Sequence, residues 1–145
     1  MNTNDSAMNT NDSAMNTNES NNVLAAAGRC VAAFGQHRRD DYFACFAPEA
    51  TFIFYTTPVV LLSRAAWMAE WERLEREDGF RVLACVSRDQ HVHLHGDAAI
   101  FTHRVTTRTR TNDGEVTTEE RETIVYGRAP DGAWLAIHEH LSAMP

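Results

Sequence analysis

The sequence predicts an α+β fold in which a cone-shaped, strongly bent antiparallel sheet is covered on one face by three helices, in the order ααββαββββ. Three observations lead there. Helical periodicity is concentrated in the first half of the chain, strand-like alternation in the second, and hairpin signals cut that second half into pieces of similar length. Helices gathered ahead of a long meander cover one face of an antiparallel sheet, which separates α+β from an alternating α/β arrangement.

The chain opens on "MNTNDSA", repeated once and followed by "MNTNES". A seven-residue period suggests a coiled coil. Only Met and Ala are apolar in it, however, and Asn, Thr, Asp and Ser favour caps and turns. Residues 1–20 are therefore expected to be a weakly structured polar tail on a single domain, residues 21–145. Asn21-Asn22 can cap a first helix running to about His37, and "RDDYFACF" gives a second, short one before Pro48. "ATFIFY" is a β-branched and aromatic strand, and "TTP" turns it toward a short strand, "VVLL".

Ser63 is an N-cap for "RAAWMAEWERLERED", in which Trp67, Trp71 and Leu74 share one stripe at i, i+4 and i+7, and Gly79 closes the helix. Four strands follow: "FRVLACVSRDQHVHLH", "AAIFTHRVTTRTR", "EVTTEERETIVYG" and "AWLAIHEHLS". Gly96-Asp97, Asn112-Asp113-Gly114 and Asp131-Gly132 separate them.

Bulk properties narrow the function classes. The formal charge is −7, of which Asp5, Asp12 and Glu19 supply three, leaving −4 on the remainder. An acidic domain is a poor partner for nucleic acid. The N-terminal apolar run, Val23 to Ala27, breaks at Gly28-Arg29 and has no Lys or Arg before it, and no apolar run is much longer, so neither a membrane span nor a signal peptide is indicated. A cytoplasmic protein is expected. Cys30, Cys45 and Cys85 are odd in number, lack CxxC spacing and sit among apolar neighbours, which suits buried, reduced thiols. No Gly-rich phosphate loop, GxSxG or Walker motif is present, and no cofactor is indicated.

Five of the seven histidines alternate on two strands: His91, His93 and His95 in "HVHLH", and His138 and His140 in "HEH". This is metal-ligand spacing, but no carboxylate completes either cluster, since alternation puts Glu139 on the face opposite His138 and His140. No metal is therefore expected.

The element order, with "HVHLHGDAAIFTHRVTT", "EERETIVYGRAPDGAW" and the terminal "WLAIHEHLS", resembles the nuclear transport factor 2-like superfamily. This superfamily includes SnoaL-like polyketide cyclases, ketosteroid isomerases and the association domain of calcium/calmodulin-dependent kinase II. The resemblance runs from about Val23 to Ser142. It implies a small, partly apolar ligand in the cone and a homodimer or larger homo-oligomer. For function it implies an isomerase- or cyclase-type enzyme or, as the alternative, a non-catalytic oligomerisation or ligand-binding module. The catalytic Asp of the enzymes has no counterpart found here.

Arg104 stands where the association domains carry a pocket arginine able to hold a ligand carboxylate. The candidate catalytic residues are accordingly His138 and His140, on a strand whose one face lines the cone. The candidate ligand-binding residues are Arg104, Glu122, Tyr126, Tyr55, Trp67 and Trp71. If Asn112-Asp113-Gly114 makes a three-residue loop, Arg104 opposes Glu122; if Asp113-Gly114 alone makes the turn, Arg104 meets Thr123.

Overall fold

The computed structural model describes residues 3–145, with side chains from Ser13 onward. Two helices, α1 (Thr3–Gly35) and α2 (Arg39–Phe43), lead into strand β1 (Phe46–Phe54); helix α3 (Arg64–Asp78) follows. Strands β2 (Arg81–His95), β3 (Ala98–Thr111), β4 (Gly114–Arg128) and β5 (Trp134–Ala143) complete the chain. The α+β class holds. The five strands make one curled, unclosed sheet in the order β1-β5-β4-β3-β2, with the helices on one side.

Each helix follows from its apolar spacing. In α1, Val23, Ala26, Ala27, Cys30 and Ala33 are buried at i, i+3, i+4, i+7 and i+10, a stripe that lies on the core. In α3, Ser63 Oγ accepts from the Ala66 N–H at 3.0 Å, Trp67 and Trp71 are buried, and Gly79 ends the helix at φ 64°. Trp71, Tyr42, Tyr126, Phe46, Phe52 and Phe101 are the largest fully buried side chains. The aromatic stripe of α3 packs among them.

The structure differs from the expected elements in four places. Helix α1 begins at Thr3, far ahead of Asn21-Asn22, which lie inside it. Near that point Glu19 accepts from Arg128 Nη1 at 3.0 Å and from Trp134 Nε1 at 3.1 Å, tying the end of the repeat segment to β4 and β5. The strand expected at "VVLL" is reduced to one bridge, Leu61 with Phe52, while Val59, Val60 and Leu62 are exposed. Pro58 ahead of it has no N–H to extend a ladder. The order is therefore ααβαββββ. The sheet is also not wholly antiparallel, because β1 runs parallel to β5 along the edge.

The fourth difference is register. Thr111 pairs with Gly114 and Arg104 with Arg121, so the turn is Asn112-Asp113 and neither expected pairing of Arg104 occurs. Asn112 is the cause. Its backbone N–H donates to the Asp78 carbonyl at 2.7 Å and its side-chain amide to the Glu77 carbonyl at 3.2 Å, capping the end of α3. Gly114, at φ 114°, then takes the backbone conformation that other residues rarely adopt.

Candidate functional site

Between the helices and the concave face of the sheet lies a cavity of about 450 Å³. Its apolar wall comes from Phe34, Phe54, Trp67, Leu74 and Val105. Its polar floor comes from alternate residues of β3, β4 and β5: Thr107 and Thr109, then Thr118, Glu120 and Glu122, then Glu139. A mostly apolar hollow with a few convergent polar groups is what a small-molecule site requires.

Glu120, Glu122 and Glu139 bring three carboxyl groups to the sheet side of the cavity, while Glu70, Arg73 and Asp78 line its helix side. The buried Glu122 and Glu139 carboxyls are neighbours, and a proton held by one of them would let the two hydrogen-bond. Burial pushes the Glu122 carboxyl up to about 7. Burial, followed by the neighbouring Glu122 charge, holds Glu139 well above the usual carboxylate range. Near neutral pH the pair thus holds a neutral acid beside an anionic base.

The pair is oriented from both sides. The Tyr42 hydroxyl donates to Glu139 Oε2 at 2.9 Å and accepts from Trp67 Nε1 at 3.1 Å. His103 Nε2 lies 2.8 Å from Glu122 Oε1, and His103 Nδ1 lies 2.6 Å from Ser87 Oγ. Burial pushes the His103 imidazole down to about 4, so it is neutral and carries one N–H. When Glu122 is ionised, Nε2–H donates to it and Nδ1 accepts from Ser87. When Glu122 is protonated, it donates to Nε2 and the ring turns its N–H to Ser87. The line Ser87-His103-Glu122 therefore answers each change of charge by a change of tautomer. Nearer the mouth, the half-exposed Tyr55 donates to Glu120 Oε2 at 2.7 Å; burial and that contact push its hydroxyl up to about 12.

The structure brings only some of the predicted residues together. Glu122, Tyr55 and Trp67 line the cavity. Trp71 and Tyr126 are core residues behind it, each with a buried polar atom that has no hydrogen-bond partner. Arg104 points away from Glu122 to the opposite face, half exposed and 3.5 Å from Asp89. Arg104 therefore supplies no anion site inside the cone.

His138 and His140 also lie outside the cavity, and His138 Nδ1 sits 2.7 Å from Thr51 Oγ1. The cause is a bulge in β5. Ala136 pairs with Tyr126 and His138 with Val125, leaving Ile137 as an extra residue. Trp134 and Ala136 are buried before it, and Glu139 after it. The bulge exchanges the inward parity, so the carboxylate rather than the imidazoles enters the cone.

Glu139, Glu120, Tyr42 and His103 were therefore missed. "EERE" does place Glu120 and Glu122 on one face, but only the bulge position shows which face of β5 meets them. Among the described residues no three His, Cys, Asp or Glu side chains are grouped to hold a metal, and no helix is long and apolar enough to cross a membrane.

A family model described as a SnoaL-like domain matches residues 23–145. No curated protein matches the chain. Among solved structures, a ketosteroid isomerase-like protein from Erwinia carotovora atroseptica is similar at 14% identity and a TM-score of 0.73, over 88% of this chain and 97% of that one. The CaMKII hub of S. rosetta is similar at 21% identity and a TM-score of 0.70, over 86% of this chain and 96% of that one. An NTF2-like protein of unknown function from Pseudomonas putida is similar at 22% and 0.70, over 88% of each chain. Identities this low speak for the fold alone.

Proposed function

The chain belongs to the SnoaL-like domain family, and from that premise we propose that it binds a small, partly apolar molecule in the cone and moves a proton on it by acid/base chemistry of the isomerase or cyclase type. One observation carries the reading: two buried carboxyl groups, Glu122 and Glu139, line one cavity of about 450 Å³ together with apolar side chains, and burial raises the proton affinity of both. A neutral acid next to a carboxyl poised near neutrality is suited to taking a proton from one atom and returning it to another. Tyr42 is the hydroxyl donor beside the pair. His138 and His140 take no part, and Arg73, the one described cation lining the cavity, is already paired with Glu70 and Glu77, which disfavours a ligand carboxylate.

The test uses a β,γ-unsaturated cyclic ketone in D2O, with deuterium entry at its α-carbon followed by NMR. The expected result is exchange well above the buffer rate, reduced at least about a hundredfold in Glu122→Gln, the usual scale of a general acid/base contribution. Buffer-rate exchange with ketone binding intact refutes the acid/base step. If the ketone does not bind at all, the alternative stands: a non-catalytic oligomerisation or ligand-binding module, as the likeness to a kinase hub suggests. Under either reading we propose a homodimer or larger assembly of one domain, residues 21–145, carrying the polar segment 1–20. Light scattering should give at least twice the 16.3 kDa chain mass.

A further inference from the structure

The face of the sheet turned away from the helices carries a feature that the cone does not use. Across β2, β3 and β4 the pairing sets Arg88 opposite Arg104 and Arg104 opposite Arg121, and Arg121 in turn faces Ser142 on β5. Three guanidinium side chains thus stand in one row. Like charges directly opposite on a sheet repel, so such a row needs anions to balance it.

Its own acids are too few. Arg88 has Glu119 at 3.2 Å, and Arg104 has Asp89 at 3.5 Å, beyond a good hydrogen bond. Arg121, exposed, has no ion pair among the described residues.

The adjoining row supplies hydroxyls and imidazoles. A bulge at Asp89-Gln90, with Asp89 at φ 53°, brings His91 onto the same face as Arg88. His91 then pairs with Thr102, Thr102 with Thr123, and Thr123 with His140. Arg104, Arg121, Thr102, Thr123, His140 and Ser142 line a hollow of about 520 Å³, whose edge also carries the Asp89 and Glu122 carboxyls.

We propose that this hollow is a binding site for a phosphate monoester. Two forked guanidiniums flanked by three hydroxyls offer enough donors for a tetrahedral dianion, whereas a carboxylate would leave several of them idle. The hollow is larger than phosphate alone and leaves room for an organic group beside His140. Arg104 and Arg121 stand on the face opposite the cone, alternating with the inward-facing Val105 and Glu122, although Glu122 and His103 reach the edge of this hollow as well.

The experiment titrates the full chain with inorganic phosphate and with phenyl phosphate, using benzoate as control, and follows affinity by calorimetry and stability by thermal melting. Wild type should bind both phosphates in a salt-sensitive way, phenyl phosphate more tightly, and benzoate weakly. Arg121→Gln and Arg104→Gln should each weaken phenyl phosphate about tenfold or more, the cost of losing a charged hydrogen-bond partner. Arg110→Gln, on β3 but outside the hollow, should leave affinity unchanged. Without phosphate, Arg121→Gln should melt no lower than wild type, because a repulsion has been removed. Absence of phosphate binding, equal binding of benzoate, or full affinity in both hollow variants would overturn the proposal. If inorganic phosphate binds as tightly as phenyl phosphate, the claim that the site takes an ester fails.

Discussion

Replacing Glu122 by Gln keeps the shape of the buried pair and removes one titrating proton. The Glu122 carboxyl lies at about 7 instead of its ordinary 4.5 because burial favours the neutral form. At ~1.4 kcal/mol for each pH unit between those values, its ionisation costs the fold ~3 kcal/mol. The side chain is only 11% exposed, so solvent screening removes little of this. A group whose affinity for the proton is raised by folding contributes its stability fully below pH 4.5 and loses it as pH rises through about 7. His103 runs the other way: pushed down to about 4, it contributes stability above its ordinary 6.5 that is lost as pH falls through about 4. The two slopes oppose each other in wild type, so the informative quantity is the difference between wild type and Glu122→Gln. Urea unfolding from pH 4.5 to 8 should show that difference moving against wild type by ~3 kcal/mol, most of it below pH 7.5. A difference that is flat, or that rises with pH, would refute the protonated pair and the acid/base reading with it.

Two further perturbations test the frame. Trp71→Ala empties the centre of the aromatic core, where the side chain is fully buried, and should destabilise by ~3–5 kcal/mol in urea unfolding; a loss under ~1 kcal/mol would mean that α3 does not pack there. Gly79→Ala puts a Cβ within 2.5 Å of Asn112 Oδ1 at a φ of 64°, and should cost ~1 kcal/mol or more while raising amide exchange at Asn112. An unchanged melting temperature would show that Asn112 does not cap α3.

The fold was legible because its signals are local. Ser63 and Gly79 bracket α3, the Trp67-Trp71-Leu74 stripe identifies its buried face, and the glycine turns divide the meander. The site was legible only in part, because it depends on strand parity, which is set at a distance. Arg104 meets Arg121 because Asn112 is held by the end of α3, a contact between residues far apart in sequence. Glu139 enters the cone because Ile137 is bulged, and nothing in "WLAIHEHLS" marks that residue as the extra one. Glu122 was found, but its partner on β3 is His103, one residue before Arg104, and Glu139 lies beside it from β5. The helical run through the polar repeat is likewise invisible to propensity, since Asn, Thr, Asp and Ser each prefer other conformations.

The extra residue in β5 makes that strand readable in two frames. Upstream of Ile137 the inward positions are Trp134 and Ala136; downstream they are Glu139 and Leu141. Deleting Ile137 would straighten the strand and leave Trp134, Ala136, Glu139 and Leu141 all facing inward, whereas flattening the bulge with Ile137 retained would carry the first frame through, present two imidazoles to the cavity and send the carboxylate to the outer face. A fold with such a hinge of parity holds two chemical characters for its interior in one sequence, and the place of one unpaired residue decides between them.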